Sequence, residues 1–186
     1  EWTLVTPEML ESFEKAEVKY KITDAPVEIS NMLQELSDNN ASHRDRCTYN
    51  LWAPSPNKIE NLRKILKYSC EKVSRSELFR YIGEEFNLKI SSVESMMPFL
   101  KASGLLEEVG RNIYVASPVA KEWCETGADI DLIRILHCHY RFVGEMIIFA
   151  ENDVTRNEIY QEAKKYGLNN EKARWIAGFL VEAGLL

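Results

Sequence analysis

The chain writes one pattern twice. "VSRSELFRYI" at 73–82 and "VTRNEIYQEA" at 154–163 run on to matching ends, "FLKASGLL" at 99–106 and "FLVEAGLL" at 179–186. With one residue deleted from the second copy, the windows 73–106 and 154–186 share Val73/Val154, Arg75/Arg156, Glu77/Glu158, Leu88/Leu168, Phe99/Phe179, Leu100/Leu180, Gly104/Gly184, Leu105/Leu185 and Leu106/Leu186. An internal repeat means one supersecondary unit made twice, so whatever folds one copy must fold the other. Several shared positions are ones a fold itself requires: a cap acid, core leucines and a glycine just past a helix. The repeat therefore argues for a common fold before it argues for a common site.

The first copy is the easier to read. Ile59, Leu62, Ile65 and Leu66 recur at helical spacing in "NKIENLRKILKYSCEKV", which predicts a first helix. Ser74 with Glu77 is a capping box opening a second helix, with Leu78, Ile82 and Phe86 inward. After the turn "NLK", Ser91 with Glu94 reads as another capping box, opening a third helix that carries Val93, Met96, Met97 and Leu100 and ends at Gly104; Pro98 should bend it. "LLEEVGRNIYVAS" then alternates about a turn at Gly110 like a β-hairpin, and "SPVAKEWCETG" is a closing helix with Ser117 as cap, Pro118 at its first position and Gly127 past its end.

Helix, helix, turn, helix, hairpin is the order of a winged helix-turn-helix. In the second copy, 129–152 predicts the first helix, apolar on more than one side and so buried against more than one neighbour. Thr155 with Glu158 repeats the capping box, "KYGLNN" the turn and "EKARWIAGFLVEAG" the third helix. The expected fold is mostly α with a small β wing, a tandem winged helix-turn-helix, divided as a helical segment and linker at 1–56, a first unit at 57–127, and a second at 128–186 whose wing is truncated. The chain opens on Glu1 and stops at "AGLL", so a longer parent protein is expected to supply that second wing beyond residue 186.

Residues 1–56 are less informative. "VTPEMLESFEKA" and "DAPVEISNMLQELSD" read as short helices, with "VKYKI" between them as an extended segment. "SDNNASHRDR" is a polar linker and "APSP" at 53–56 a stiff joint that places a boundary near 53–57.

The net charge of −6 is unevenly spread. Residues 1–60 hold 6 basic and 11 acidic side chains, residues 61–127 hold 10 and 9, and residues 128–186 hold 7 and 9. The repeat is close to neutral, which permits local basic faces but not a strong nonspecific grip on phosphates. The third helix of a helix-turn-helix commonly enters the major groove, its hairpin lying near phosphates. In the first unit that singles out Ser91, Ser92, Ser95 and Lys101 on the helix, and Arg111 and Asn112 at the hairpin tip. In the second it singles out Asn169, Asn170, Lys172, Arg174 and Trp175, with Lys164 and Lys165 before the turn. Lys and Arg suit guanine or phosphate, and Asn suits adenine. Two alternatives stay open: Lys172 and Arg174 as a merely solvated face, and Trp175 packed on a neighbouring domain instead of stacked on a base.

The endings "FLKASGLLEEVGRNIYVASPVAKEW" and "KARWIAGFLVEAGLL" resemble the tandem winged-helix modules that recognise DNA in type IIS restriction enzymes and related defence proteins. The resemblance covers residues 57–186. It implies double-stranded DNA as partner and a cleavage or other effector domain elsewhere in the parent chain, positioned by this one.

Catalysis is not expected within the chain. "EVK" at 17–19 matches the Glu-x-Lys half of a metal-dependent nuclease site, but no acidic residue on an upstream strand joins it. Gly-rich phosphate loops, GxSxG and HExxH are absent, and no cofactor or metal is implied. The "HCH" at 137–139 cannot close on one metal, because neighbouring helical positions point apart, and the four widely spaced cysteines read as reduced thiols. Without a signal peptide or a long apolar run, a cytoplasmic location with no membrane partner is expected. Two further readings are a protein-interaction scaffold, which suits the near-neutral charge, and a transcriptional regulator.

Overall fold

A computed structural model describes Lys19–Tyr20, Asn31, residues 46–52 and residues 58–186. Within these the chain is mostly helical with a small antiparallel sheet. The elements are β1 (Lys19–Tyr20), α1 (Lys58–Tyr68), β2 (Val73–Ser74), α2 (Arg75–Glu85), α3 (Ile90–Ala102), β3 (Leu106–Gly110), β4 (Ile113–Ala116), α4 (Pro118–Thr126), α5 (Asp129–His139), α6 (Val143–Phe149), a 3-10 turn (Ala150–Asn152), β5 (Val154–Thr155), α7 (Arg156–Lys165) and α8 (Asn170–Glu182). Among the described residues no helix is long and apolar enough to cross a membrane.

The repeat is local structure as well as sequence. Both capping boxes form: the Ser74 hydroxyl oxygen accepts from the Glu77 N–H, the Thr155 one from the Glu158 N–H, and each glutamate accepts from its own cap's N–H. The deleted residue is absorbed in the helix that follows, 11 residues in α2 and 10 in α7. The turn after each takes one left-handed residue, Asn87 at φ 50° and Gly167 at φ 82°. Both α3 and α8 run for 13 residues. Beyond them Gly104 (φ 70°) and Gly184 (φ 71°) turn the chain left-handed, a conformation that costs a Cβ-bearing residue energy.

Three expectations of detail change. The α3 cap is Lys89, without a side-chain bond, so the Ser91–Glu94 capping box does not form. Ile90 is already helical, and Ser91 is therefore in helical backbone instead of the extended one a cap requires. The hairpin turn lies at Arg111–Asn112, with Asn112 left-handed at φ 59° and a register shift between Glu108 and Gly110. The predicted single helix at 129–152 is broken after His139, where Tyr140 is extended and Phe142 left-handed at φ 68°.

Residues 46–52 account for that break. The His139 carbonyl, freed from its helix, accepts from the Cys47 N–H at 2.7 Å, and the Arg141 N–H donates to the Cys47 carbonyl at 3.2 Å. Arg46 donates from Nε and Nη2 to the Tyr140 carbonyl. Phe142, fully buried, stacks on Tyr166 of the α7 end at 4.9 Å. These replacements leave little to be gained by continuing the helix.

Three strands form one sheet in the order β2–β4–β3, with Tyr114 and Ala116 of β4 facing inward. β5 pairs instead with β1. The apolar positions anticipated on α1 and α3 are buried, with Ala173, Ile176, Ala177 and Leu180 of α8, in a hydrophobic cluster that runs through both copies without interruption. At its middle Phe99 of α3 stacks on Phe179 of α8 at 6.1 Å and on Tyr140 at 6.0 Å, so equivalent residues of the repeat meet each other. Of the N-terminal expectations, Lys19–Tyr20 is extended and Asn31 helical; the remainder of both helices, the linker before Arg46 and the joint at 53–57 lie outside the described residues.

Candidate nucleic-acid interface

A groove in two parts lies beside α3, between the first unit and the 46–52 segment. A larger part, about 900 Å³, is lined by Tyr49, Arg75, Glu94, Met97, Lys101 and His139; a smaller one, about 440 Å³, by Ser74, Ser76, Phe79, Arg111 and Asn112. Arg75 and Glu94 belong to both, so the two parts adjoin at this pair, one toward the hairpin tip and the other toward the 46–52 segment.

Arg111 and Asn112 are exposed at the tip, as expected. The tip is built by its neighbours: the Asn112 N–H donates to Glu108 at 3.2 Å and the Arg75 N–H to the Asn112 carbonyl at 2.8 Å. Arg75, singled out in the sequence only as a repeat identity, lies over the Phe79 ring at 4.6 Å and 3.4 Å from Glu94. Ser91 and Ser95 are exposed and Ser92 half-buried, but the Ser95 hydroxyl donates to the Ser91 carbonyl. Lys101 is not a free cation. It donates to Glu108 at 2.7 Å; that hydrogen bond raises the lysine pKa and lowers the carboxyl's.

In the second unit Asn170 and Arg174 are exposed. Asn169 is the α8 cap, its side-chain oxygen accepting from the Lys172 N–H at 2.9 Å, so only its amide NH₂ is left to read a base. Lys172 is half-buried, and its Nζ donates to the Thr48 carbonyl at 2.5 Å. Trp175 is half-buried and packs against the core of the chain itself. Lys164 and Lys165 are exposed, donating to Gln161 at 3.2 Å and Glu162 at 2.6 Å. The close approach that Gly178 permits is by Lys58, whose Cε would lie 3.1 Å from an added Cβ and whose Nζ pairs with Glu182.

Behind the groove lies a buried ionic knot that the sequence did not announce. Arg46, 3% exposed, donates to both Glu145 oxygens at 2.5 and 2.9 Å. Its Nη2 also faces His137 Nδ1 at 3.0 Å, as does the Gly144 N–H at 3.0 Å. Two donors on one ring nitrogen require that nitrogen to be an acceptor. Burial alone would raise the Glu145 pKa, but the Arg46 hydrogen bond and charge outweigh it and hold the carboxyl below its usual range. A depressed folded-state pKa contributes stability above the unfolded carboxyl value, about 4.3, that is lost as pH falls through the folded value. Urea midpoints measured from pH 7 down to pH 3 should therefore fall in the native chain and fall less steeply in Glu145→Gln; parallel curves would remove Glu145 from the acid response.

No set of three or more His, Cys, Asp or Glu side chains that could hold a metal occurs among the described residues. Burial pushes the Cys124 thiol up to about 11, which leaves it protonated and a poor nucleophile. No protein-family model, curated protein or solved structure matches the chain.

Proposed function

We propose that the chain is a tandem winged helix-turn-helix that binds double-stranded DNA. The observation that carries the reading is the groove beside α3, bounded by an exposed Arg111–Asn112 tip and by Arg75 at the start of a capped helix. Duplex recognition by such folds uses this juxtaposition, a helix flank for base edges and a hairpin for phosphates. The repeat offers a second, smaller set of contacts through Asn170 and Arg174. With its resemblance to restriction-enzyme recognition modules, the chain is best understood as positioning an effector domain of a parent protein on DNA.

A protein-interaction scaffold is the second reading. It is favoured by how many of the cations are already engaged: Lys101 by Glu108, Arg75 by Glu94 and Lys172 by Thr48.

Salt dependence separates the two. Fluorescence anisotropy with a random-sequence duplex should show log K falling with log salt at about −0.9 per phosphate contacted. Arg111→Ala with Arg174→Ala should reduce that slope by about two and weaken binding across all sequences. Salt-independent or absent binding by the native chain would overturn the DNA reading, and an unchanged slope in the double variant would move the contacts elsewhere.

A further inference from the structure

We infer that β1, from the N-terminal segment, is the wing strand of the second unit. β2 and β5 are equivalent: each is two residues long, begins with a buried valine, and ends on the hydroxyl residue that caps the next helix. In the first unit β2 is covered by the hairpin strand β4, antiparallel, with Val73 opposite Tyr114 and Ser74 opposite Ile113. In the second, β5 is covered by β1, also antiparallel, with Val154 opposite Tyr20 and Thr155 opposite Lys19. The register is the same to the residue. A tyrosine stands opposite the valine in the register, and the residue before that tyrosine stands opposite the cap.

The physical need is also the same. A capping residue must be held in extended backbone, and a strand edge left bare at that point would have unpaired N–H and carbonyl groups. In the first unit the chain meets the need with the hairpin that follows α3; in the second it meets it with a strand that precedes both units. Adding an extended segment to an exposed edge through main-chain bonds is a recurrent recognition mode, here made within one polypeptide.

A consequence follows that rests on the DNA-binding reading. β4 borders the first unit's groove through Ile113. β1 occupies the corresponding border of the second unit, so Lys19–Tyr20 is part of the binding surface.

The test uses the full chain with Tyr20→Pro, which removes an N–H and disfavours the extended pair, beside Tyr20→Thr, which keeps both. Hydrogen exchange of peptides spanning Val154 and Thr155 should accelerate about fivefold or more in the proline variant, the fold-change of one net backbone hydrogen bond, and stay near native in the threonine variant. Unchanged exchange in Tyr20→Pro would overturn the strand assignment. On duplex DNA, Tyr20→Pro should weaken binding and make it insensitive to Arg174→Ala; native affinity with accelerated exchange would overturn the binding role while leaving the strand. If the native chain binds no duplex, the DNA reading falls, and the exchange result alone decides for or against the strand.

Discussion

Arg46→Ala should lower the stability of the chain by about 3–5 kcal/mol, the cost of leaving a buried charge without its partner. Arg46 side-chain exposure is 1% and that of Glu145 is 15%, so water does little to replace the lost guanidinium. Beyond the ion pair, the substitution removes both donors to the Tyr140 carbonyl. Equilibrium urea unfolding measures the loss. A cost below about 1 kcal/mol, the level of an exposed pair, would show that the knot is hydrated in solution. Arg46→Met with Glu145→Leu discriminates further: replacing both charges with apolar groups should recover the share lost by leaving Glu145 unpaired, though not the bonds to the Tyr140 carbonyl. The local consequence should appear around 139–142, where the 46–52 segment holds the broken helix open.

Phe99→Ala should cost about 3–5 kcal/mol, as for other large-to-small changes at fully buried aromatic positions. Phe99 is completely buried and touches both Phe179 and Tyr140, so the cavity would open where the two copies meet. Phe179→Ala should cost a similar amount. The double variant should lose less than the sum of the two, by about 0.5–1.5 kcal/mol, because the ring pair is broken by either change alone. A simple sum would mean that the rings contribute independently. Unfolding of the native chain should be a single transition by both tryptophan fluorescence and far-ultraviolet dichroism, since one uninterrupted core joins the copies. Two separated transitions would mean that the copies fold as independent domains.

Much of the fold was legible because its signals are local. A capping box is a contact between residues three apart, and both Ser74–Glu77 and Thr155–Glu158 form. The Ser91–Glu94 box failed for an equally local reason, the helix starting two residues early, with Lys89 as its cap and Ile90 as its first residue. Periodicity identified the inward residues of α1 and α3, since each stripe needed only to face some core. The candidate site was harder. Arg111 and Asn112 are exposed at the hairpin tip and Asn170 and Arg174 on α8, as the sequence reading placed them. Lys172 and Lys101 have the same helical credentials, yet each is engaged by a group that helix spacing does not reveal: a carbonyl at Thr48 and a carboxylate across the hairpin.

By itself, then, the sequence determined the order of the first unit's helices, the caps of α2, α4 and α7, the glycine turns after α3 and α8, and the fact that the unit occurs twice. These follow from interactions within a few residues, which a linear reading can see. Only the tertiary structure decided where the 129–152 helix breaks, which cations remain available, and what covers β5. Each of those outcomes is set by a competing main-chain or side-chain partner from far away in the chain: Cys47 for the His139 carbonyl, Thr48 for Lys172, and β1 for the edge beside Val154. Backbone polar groups must find a partner once buried, but which partner reaches them depends on how the whole chain is packed.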